Sequence, residues 1–191
     1  PFEIVASPAA PTLTAVADAC APLAGTTTAT LSWGAVAADD YVISLDSNGD
    51  GSFDSTVTQA GTSYSWTGLG AGTYNWAVTA RKQDAGATIT CQSVISATDT
   101  FIIVATPAAP VLTAEPDLCI TGATAVTLDW TGTASQYVIE FDNDNNGTFG
   151  GAGDTSAVTQ AGTTYNWAGL TAGTHAWRVL ARNSGGTVTC D

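Results

Sequence analysis

Apolar and polar residues alternate along this chain in short runs. Ala29, Leu31 and Trp33 alternate with Thr30 and Ser32, the period of two that a strand shows when it buries one face. Tyr41-Val42-Ile43-Ser44-Leu45, Tyr64-Ser65-Trp66, Tyr74-Asn75-Trp76-Ala77-Val78 and Phe101-Ile102-Ile103-Val104 follow. Each is rich in aromatic and β-branched residues, and clusters of Gly, Asn, Asp and Pro separate them. Such runs predict strands joined by turns. No window carries a helical period. Evenly spaced short strands predict an antiparallel β-sandwich.

The pattern occurs twice. Pro8-Ala9-Ala10-Pro11-Thr12-Leu13-Thr14-Ala15 returns as Pro107-Ala108-Ala109-Pro110-Val111-Leu112-Thr113-Ala114, and Val57–Thr62 returns as Val158–Thr163. Trp33, Trp66 and Trp76 return as Trp130, Trp167 and Trp177. A repeat of this length is one domain. The expected organisation is a terminal strand over residues 1–6, a first sandwich over 7–104 and a second over 105–191. The alternation places the tryptophans in packed cores; a sugar-binding aromatic platform is the competing role. His175, the only histidine, replaces Tyr74 of the first repeat and is expected on a strand surface.

The four cysteines follow the repeat. Cys20 and Cys119 are 99 positions apart, and so are Cys91 and Cys190. The simplest pairing is one bridge per domain, Cys20–Cys91 and Cys119–Cys190, with four reduced thiols as the alternative. Bridges would imply an oxidising, extracellular setting.

The run Ala60–Arg81, which contains Gly68-Leu69, Gly72-Thr73-Tyr74 and Val78-Thr79-Ala80, resembles the middle of a fibronectin type III domain, and the Pro-x-Leu start and the Trp33 strand fit it. The likeness recurs from Pro107 to Arg182. It implies two tandem fibronectin type III or Ig-like sandwiches, of the kind that repetitive prokaryotic surface proteins carry. The cysteines and an acidic turn after Leu45 depart from the family's pattern.

Charge narrows the function. The 191 residues carry 17 acidic side chains against 4 basic ones, a net charge of −13. Nucleic acids and anionic membranes need Lys and Arg, so neither is an expected partner, and no apolar stretch is long enough for a membrane helix. Hard divalent cations suit the acidic balance. Asp46, Asn48, Asp50 and Ser52, with Asp54 beyond, place oxygen side chains at alternate loop positions around Gly51. Asp142, Asp144, Asn146 and Thr148, with Asp154 beyond, repeat the arrangement. Both loops resemble the first half of an EF-hand or dockerin calcium loop, without its closing Glu or its helices. Calcium is the expected cofactor; the competing reading is a pair of good hairpin turns. Asn146-Gly147-Thr148 is also a formal glycosylation sequon. No nucleophile elbow, zinc spacing or nucleophile–base pair is present, so no enzyme is expected.

The ends carry the last expectation. Pro1-Phe2-Glu3-Ile4-Val5-Ala6-Ser7 aligns with Thr100-Phe101-Ile102-Ile103-Val104-Ala105-Thr106. The second repeat has no matching run after Cys190. The surplus strand Phe2, Glu3, Ile4, Val5 and Ala6 would therefore complete the second domain of a neighbour. That contact makes the chain its own partner, as a homopolymer at the cell surface. The alternative is a segment of a longer tandem array, an adhesin or carbohydrate-binding protein that meets surface glycans or proteins.

Overall fold

The computed structural model describes residues 2–191; Pro1, the first residue of the expected donor segment, lies outside them. The described residues are all-β, and they form two compact units. One is Pro1–Ala105 with Gly185–Val188, the other Thr106–Ser184 with Thr189–Asp191.

The first unit holds β1 (Leu13–Thr14), β2 (Ala19–Ala21), β3 (Thr27–Trp33), β4 (Asp40–Asp46), β5 (Ser55–Gln59), β6 (Ser63–Leu69), β7 (Gly72–Gln83), β8 (Thr90–Gln92) and β9 (Asp99–Ala105). One sheet runs β1-β3-β6 and the other β2-β9-β7-β4-β5, with β8 also on β7. All pairs are antiparallel except β2 on β9. This is the strand order of an Ig-like sandwich. The alternation seen in the sequence decides which face is buried: Ala29, Leu31 and Trp33 point inward, and so do Tyr41, Ile43 and Leu45. Trp76 is fully buried against Trp33, with ring centroids 6.4 Å apart. Phe101 stacks on Tyr74 at 5.3 Å and 14°, so the last strand of the unit locks into its core.

The second unit holds β10 (Val111–Leu112), β11 (Thr124–Thr131), β12 (Gln136–Asp142), β13 (Val158–Gln160), β14 (Thr164–Leu170), β15 (Ala176–Gly185) and β16 (Val188–Cys190). Its sheets run β10-β11-β14 and β13-β12-β15-β16. Leu128, Trp130, Tyr137, Ile139, Phe141 and Trp167 form its core. Four of the six tryptophans are buried (Trp33, Trp76, Trp130, Trp167), and Trp66 and Trp177 are half-buried.

The cysteines overturn the expected pairing. Cys20 and Cys190 are the disulfide-bonded residues, while Cys91 and Cys119 are free. Sheet geometry explains why Cys20–Cys91 cannot form. Cys20 lies level with Val104 of β9, one step past the pairing of Ile103 with Gly72 of β7. Cys91 lies opposite Lys82, toward the other end of β7. About ten residues of strand separate these levels, roughly 30–35 Å. A disulfide needs Cα atoms about 4.4–6.8 Å apart. Cys119–Cys190 fails with it, since Cys119 is free.

Candidate functional site

Two regions gather the residues that the sequence singled out: the acidic hairpin loops, and the edge of each sandwich where β9 does or does not lie.

The first acidic loop joins β4 to β5. Asp46, at the end of β4, is only 1% exposed. Its Oδ1 accepts from the N–H groups of Gly49 (2.7 Å), Asp50 (3.2 Å) and Asn48 (3.3 Å). Its Oδ2 accepts from Gly51 N–H (2.8 Å) and the Asn75 amide (2.9 Å). The Asn75 amide is the largest cause that holds this carboxyl below the usual range; burial works against it, and the Gly51, Gly49 and Asn48 N–H groups add to it. The other expected ligands also bond within the loop. Asn48 Oδ1 accepts from Asp50 N–H, and Asp50 takes Ser52 N–H and the Asn48 amide. Asp54 takes the Ser47 hydroxyl at 2.7 Å. Gly49 and Gly51 have φ of 72° and 89°, a conformation that favours glycine. This loop closes on its own donors.

The second loop, from β12 toward β13, differs in its own residues and in the one that faces it. Ala176 stands opposite Asp142 where Asn75 stands opposite Asp46, so the amide donor is lost. Asp142, also 1% exposed, accepts from Asn146 N–H (3.1 Å) and Gly147 N–H (2.8 Å). Burial pushes its carboxyl up, but those N–H groups and the Asp144 contact together hold it below the usual range. Asp154 folds back across the glycine-rich insertion and accepts from Asn143 and Gly151 N–H, both at 2.7 Å. Oxygens of Asp142, Asp144 and Asp154 thereby come within 4.8 Å of one another. Asn146 donates its amide to Asp144 (3.0 Å) and accepts from Thr148 N–H (2.8 Å). Among the described residues, only this loop brings three such acids together. Three converging carboxylates fit a hard cation, which takes oxygen ligands.

The sheet edge was only partly visible in the sequence. In the first unit, β9 pairs Phe101 with Tyr74, Ile102 with Thr73 and Ile103 with Gly72. Phe101 and Ile103 are 1% and 2% exposed and pack in the cluster that contains Leu31, Leu69 and Tyr74. Asp18 Oδ1 accepts from Ile102 N–H at 2.7 Å. In the second unit the repeat-equivalent residues Leu128, Leu170 and His175, with Val126, Trp167 and Trp177, line a groove of about 420 Å³. Asp117, the counterpart of Asp18, lines it too, as does Glu115, whose buried Oε1 has no partner.

His175 is not on a strand surface as expected. It is half-buried in this groove, 5.7 Å from the Trp167 ring, with its ring nitrogens at the carbonyls of Asn143 (2.6 Å) and Thr171 (2.9 Å). The offset that aligns the repeats could have found the groove, because it places His175 on Tyr74 and Asp117 on Asp18.

The surplus segment Phe2–Ala6 forms no strand. Phe2 and Ile4 are 88% and 84% exposed. Glu3 accepts from Ala85 N–H at 3.1 Å, and the Cys91 thiol sits 3.3 Å from the Val5 carbonyl.

No family model matches the chain, and no curated protein matches it. Among solved structures, DIP-gamma IG1+IG2 is similar at 11% identity and a TM-score of 0.40, over 94% of each chain. Dpr11 IG1 bound to DIP-gamma IG+IG2 gives 10% and 0.39, over 91% of this chain and 98% of that one. The human OSCAR ligand-binding domain gives 14% and 0.35, over 97% and 96%. The strand order, rather than these distant likenesses, makes the protein two tandem Ig-like sandwiches.

Proposed function

We propose that this chain is a non-enzymatic structural subunit of an extracellular filament, built head to tail as Phe2–Ala6 of one copy enters the second unit of the next. One observation carries the reading. The groove on the second unit is lined by the counterparts of the residues that hold β9 in the first, and Phe2-Glu3-Ile4-Val5-Ala6 is the counterpart of β9.

The register follows from the repeat. Phe2 would lie against His175 and Trp167 as Phe101 lies on Tyr74, and Ile4 would enter opposite Gly173 as Ile103 does opposite Gly72. Asp117 would accept from Glu3 N–H as Asp18 accepts from Ile102. A segment with two exposed apolar side chains and a groove lined by Leu128, Leu170 and Trp167 beside its polar rim both gain by pairing. The contact is heterologous and does not close, so it propagates. The disulfide-bonded cysteines suit an oxidising exterior, and the charge of −13 keeps nucleic acid out of the account. Calcium at Asp142, Asp144 and Asp154, completed by Asn146, Thr148 or main-chain oxygens, would stiffen the unit that receives the strand.

Electron microscopy of the purified chain, with and without Phe2→Asp, tests the assembly. The expected result is long filaments that the substitution abolishes, because a carboxylate cannot enter the groove unpaired. Monomers in both samples would sink strand donation and leave the tandem-array adhesin as the reading.

A further inference from the structure

We infer that Cys119 of one copy and Cys91 of the next form an intermolecular disulfide that locks each donated strand in place; this rests on the strand-donation reading above. Two contacts inside the first unit carry it. Cys20 of β2 lies level with Val104 of β9 in the parallel pairing. The Cys91 thiol lies 3.3 Å from the carbonyl of Val5. Val5 is the counterpart of Val104, and Cys119 is the counterpart of Cys20.

A strand that takes the place of β9 on the second unit therefore brings its Val5 level with Cys119. It carries Cys91 of its own chain at that same carbonyl. The two free thiols of the protein, one half-buried and one exposed, meet at the joint between copies. Each joint then pairs a hydrogen-bonded strand with a covalent staple, and the filament resists denaturants that non-covalent strand exchange would not.

The chemistry is thiol–disulfide exchange with a low-molecular-weight disulfide as oxidant. The thiolate of one cysteine attacks the oxidant, forms a mixed disulfide and releases one small thiol. The thiolate of the other displaces the second small thiol. One S–S bond forms and one breaks, and the two protons of the cysteines end on the two released thiols. Cys119, exposed on the second unit before a strand arrives, is the accessible site for the first step.

The test uses two full-length variants, Cys91→Ser and Cys119→Ser, assembled with oxidised glutathione and run on non-reducing SDS gels beside the unaltered chain. The inference expects an SDS-resistant ladder from the unaltered chain that collapses to monomer on reduction. Each variant alone should give monomer, and their mixture should give a covalent dimer and no longer species. Filaments by microscopy without an SDS-resistant ladder would overturn the staple and leave strand donation standing. Absence of filaments would overturn strand donation itself. Dimers from either variant alone would overturn the specific Cys119–Cys91 pairing.

Discussion

The two repeats carry nearly the same strands, yet their sheets differ along one edge, and the difference shows how much of a strand belongs to its neighbour. In the first unit β9, and β2 beyond it, extend the sheet on that side. Gly72–Tyr74 are strand because β9 pairs with them, and Ala19–Ala21 are strand because they pair with β9 in turn. In the second unit neither counterpart is strand: residues 173–175 and 118–120 are irregular, and β15 starts only at Ala176, where its pairing to β12 ends. Burial changes with it. Trp76 is fully buried while Trp177 is half-buried. Pairing, more than local propensity, makes these segments strands, which is what context-dependent β-propensity means.

The largest way to break the comparison acts on the phenylalanine that occurs in both settings. Phe101→Ala removes a ring stacked on Tyr74 in a closed core and should destabilise the first unit by about 3–5 kcal/mol, measured by urea denaturation. Phe2→Ala should leave the isolated chain within roughly 0.5 kcal/mol, because the ring is exposed, and yet prevent assembly. Equal stability losses in the two variants would mean that Phe2 already packs within its own copy.

A smaller effect comes from filling the open edge in cis. Appending a second copy of residues 93–105 after Asp191 gives the second unit its own β9. The Phe and Ile side chains gain burial, and ordering the linker takes back part of it, which leaves a net of about 1–2 kcal/mol and a rise of roughly 5–10 °C in melting temperature. Filaments should disappear in the same variant. A chain that melts higher and still forms filaments would show that assembly uses another surface.

How much of this was legible in the sequence follows from the same contrast. Alternation in Ala29–Trp33 and Tyr41–Leu45 disclosed the buried faces, because a period of two is a property of the backbone alone. The repeat offset disclosed that Phe2–Ala6 matches the sequence of β9, although the segment forms no strand in its own copy. The repeat offset does not disclose the cysteine pairing, because it compares positions and says nothing of height along a sheet: Cys20 and Cys91 share a repeat but lie level with opposite ends of β7. The acidic loops follow one motif, yet two of their differences lie in the loops themselves: Asp144 stands where the first loop has Asn48, and a glycine-rich insertion carries the closing acid out to Asp154. The third, Asn75 against Ala176, lies on the adjacent strand, where no loop motif extends.

Those differences set the metal prediction. The first loop saturates Asp46 with protein donors, whereas the second brings three carboxylates together. Calcium at ten times its dissociation constant should stabilise the second unit by about 1.4 kcal/mol, read as a rise in melting temperature that chelation reverses. Asp154→Asn should remove the response and Asp54→Asn should keep it. A response that survives Asp154→Asn would place the ion elsewhere, and no response in the unaltered chain would take calcium out of the account.

The smallest effect is invisible at neutral pH. Asp46 and Asp142 both have carboxyls held below the usual range in the folded chain. As pH falls, the unfolded chain binds its protons first, at about pH 4, so unfolding takes up protons and stability declines from that point downward. The loss continues until pH passes below the lowered folded values. Above about pH 5 these groups contribute no slope. In the first loop the Asn75 amide leads the downward shift, so Asn75→Ala should convert that loop to the pattern of the second. The Asp46 carboxyl then titrates higher, and the first unit begins to unfold in acid at a higher pH. Carboxyl-carbon NMR titration of Asp46 reads the first change and circular dichroism the second. An unchanged Asp46 titration in Asn75→Ala would mean that the main-chain donors of Gly49 and Gly51 hold the carboxylate by themselves, and the contrast between the loops would then rest on Asp144 and the placement of Asp154.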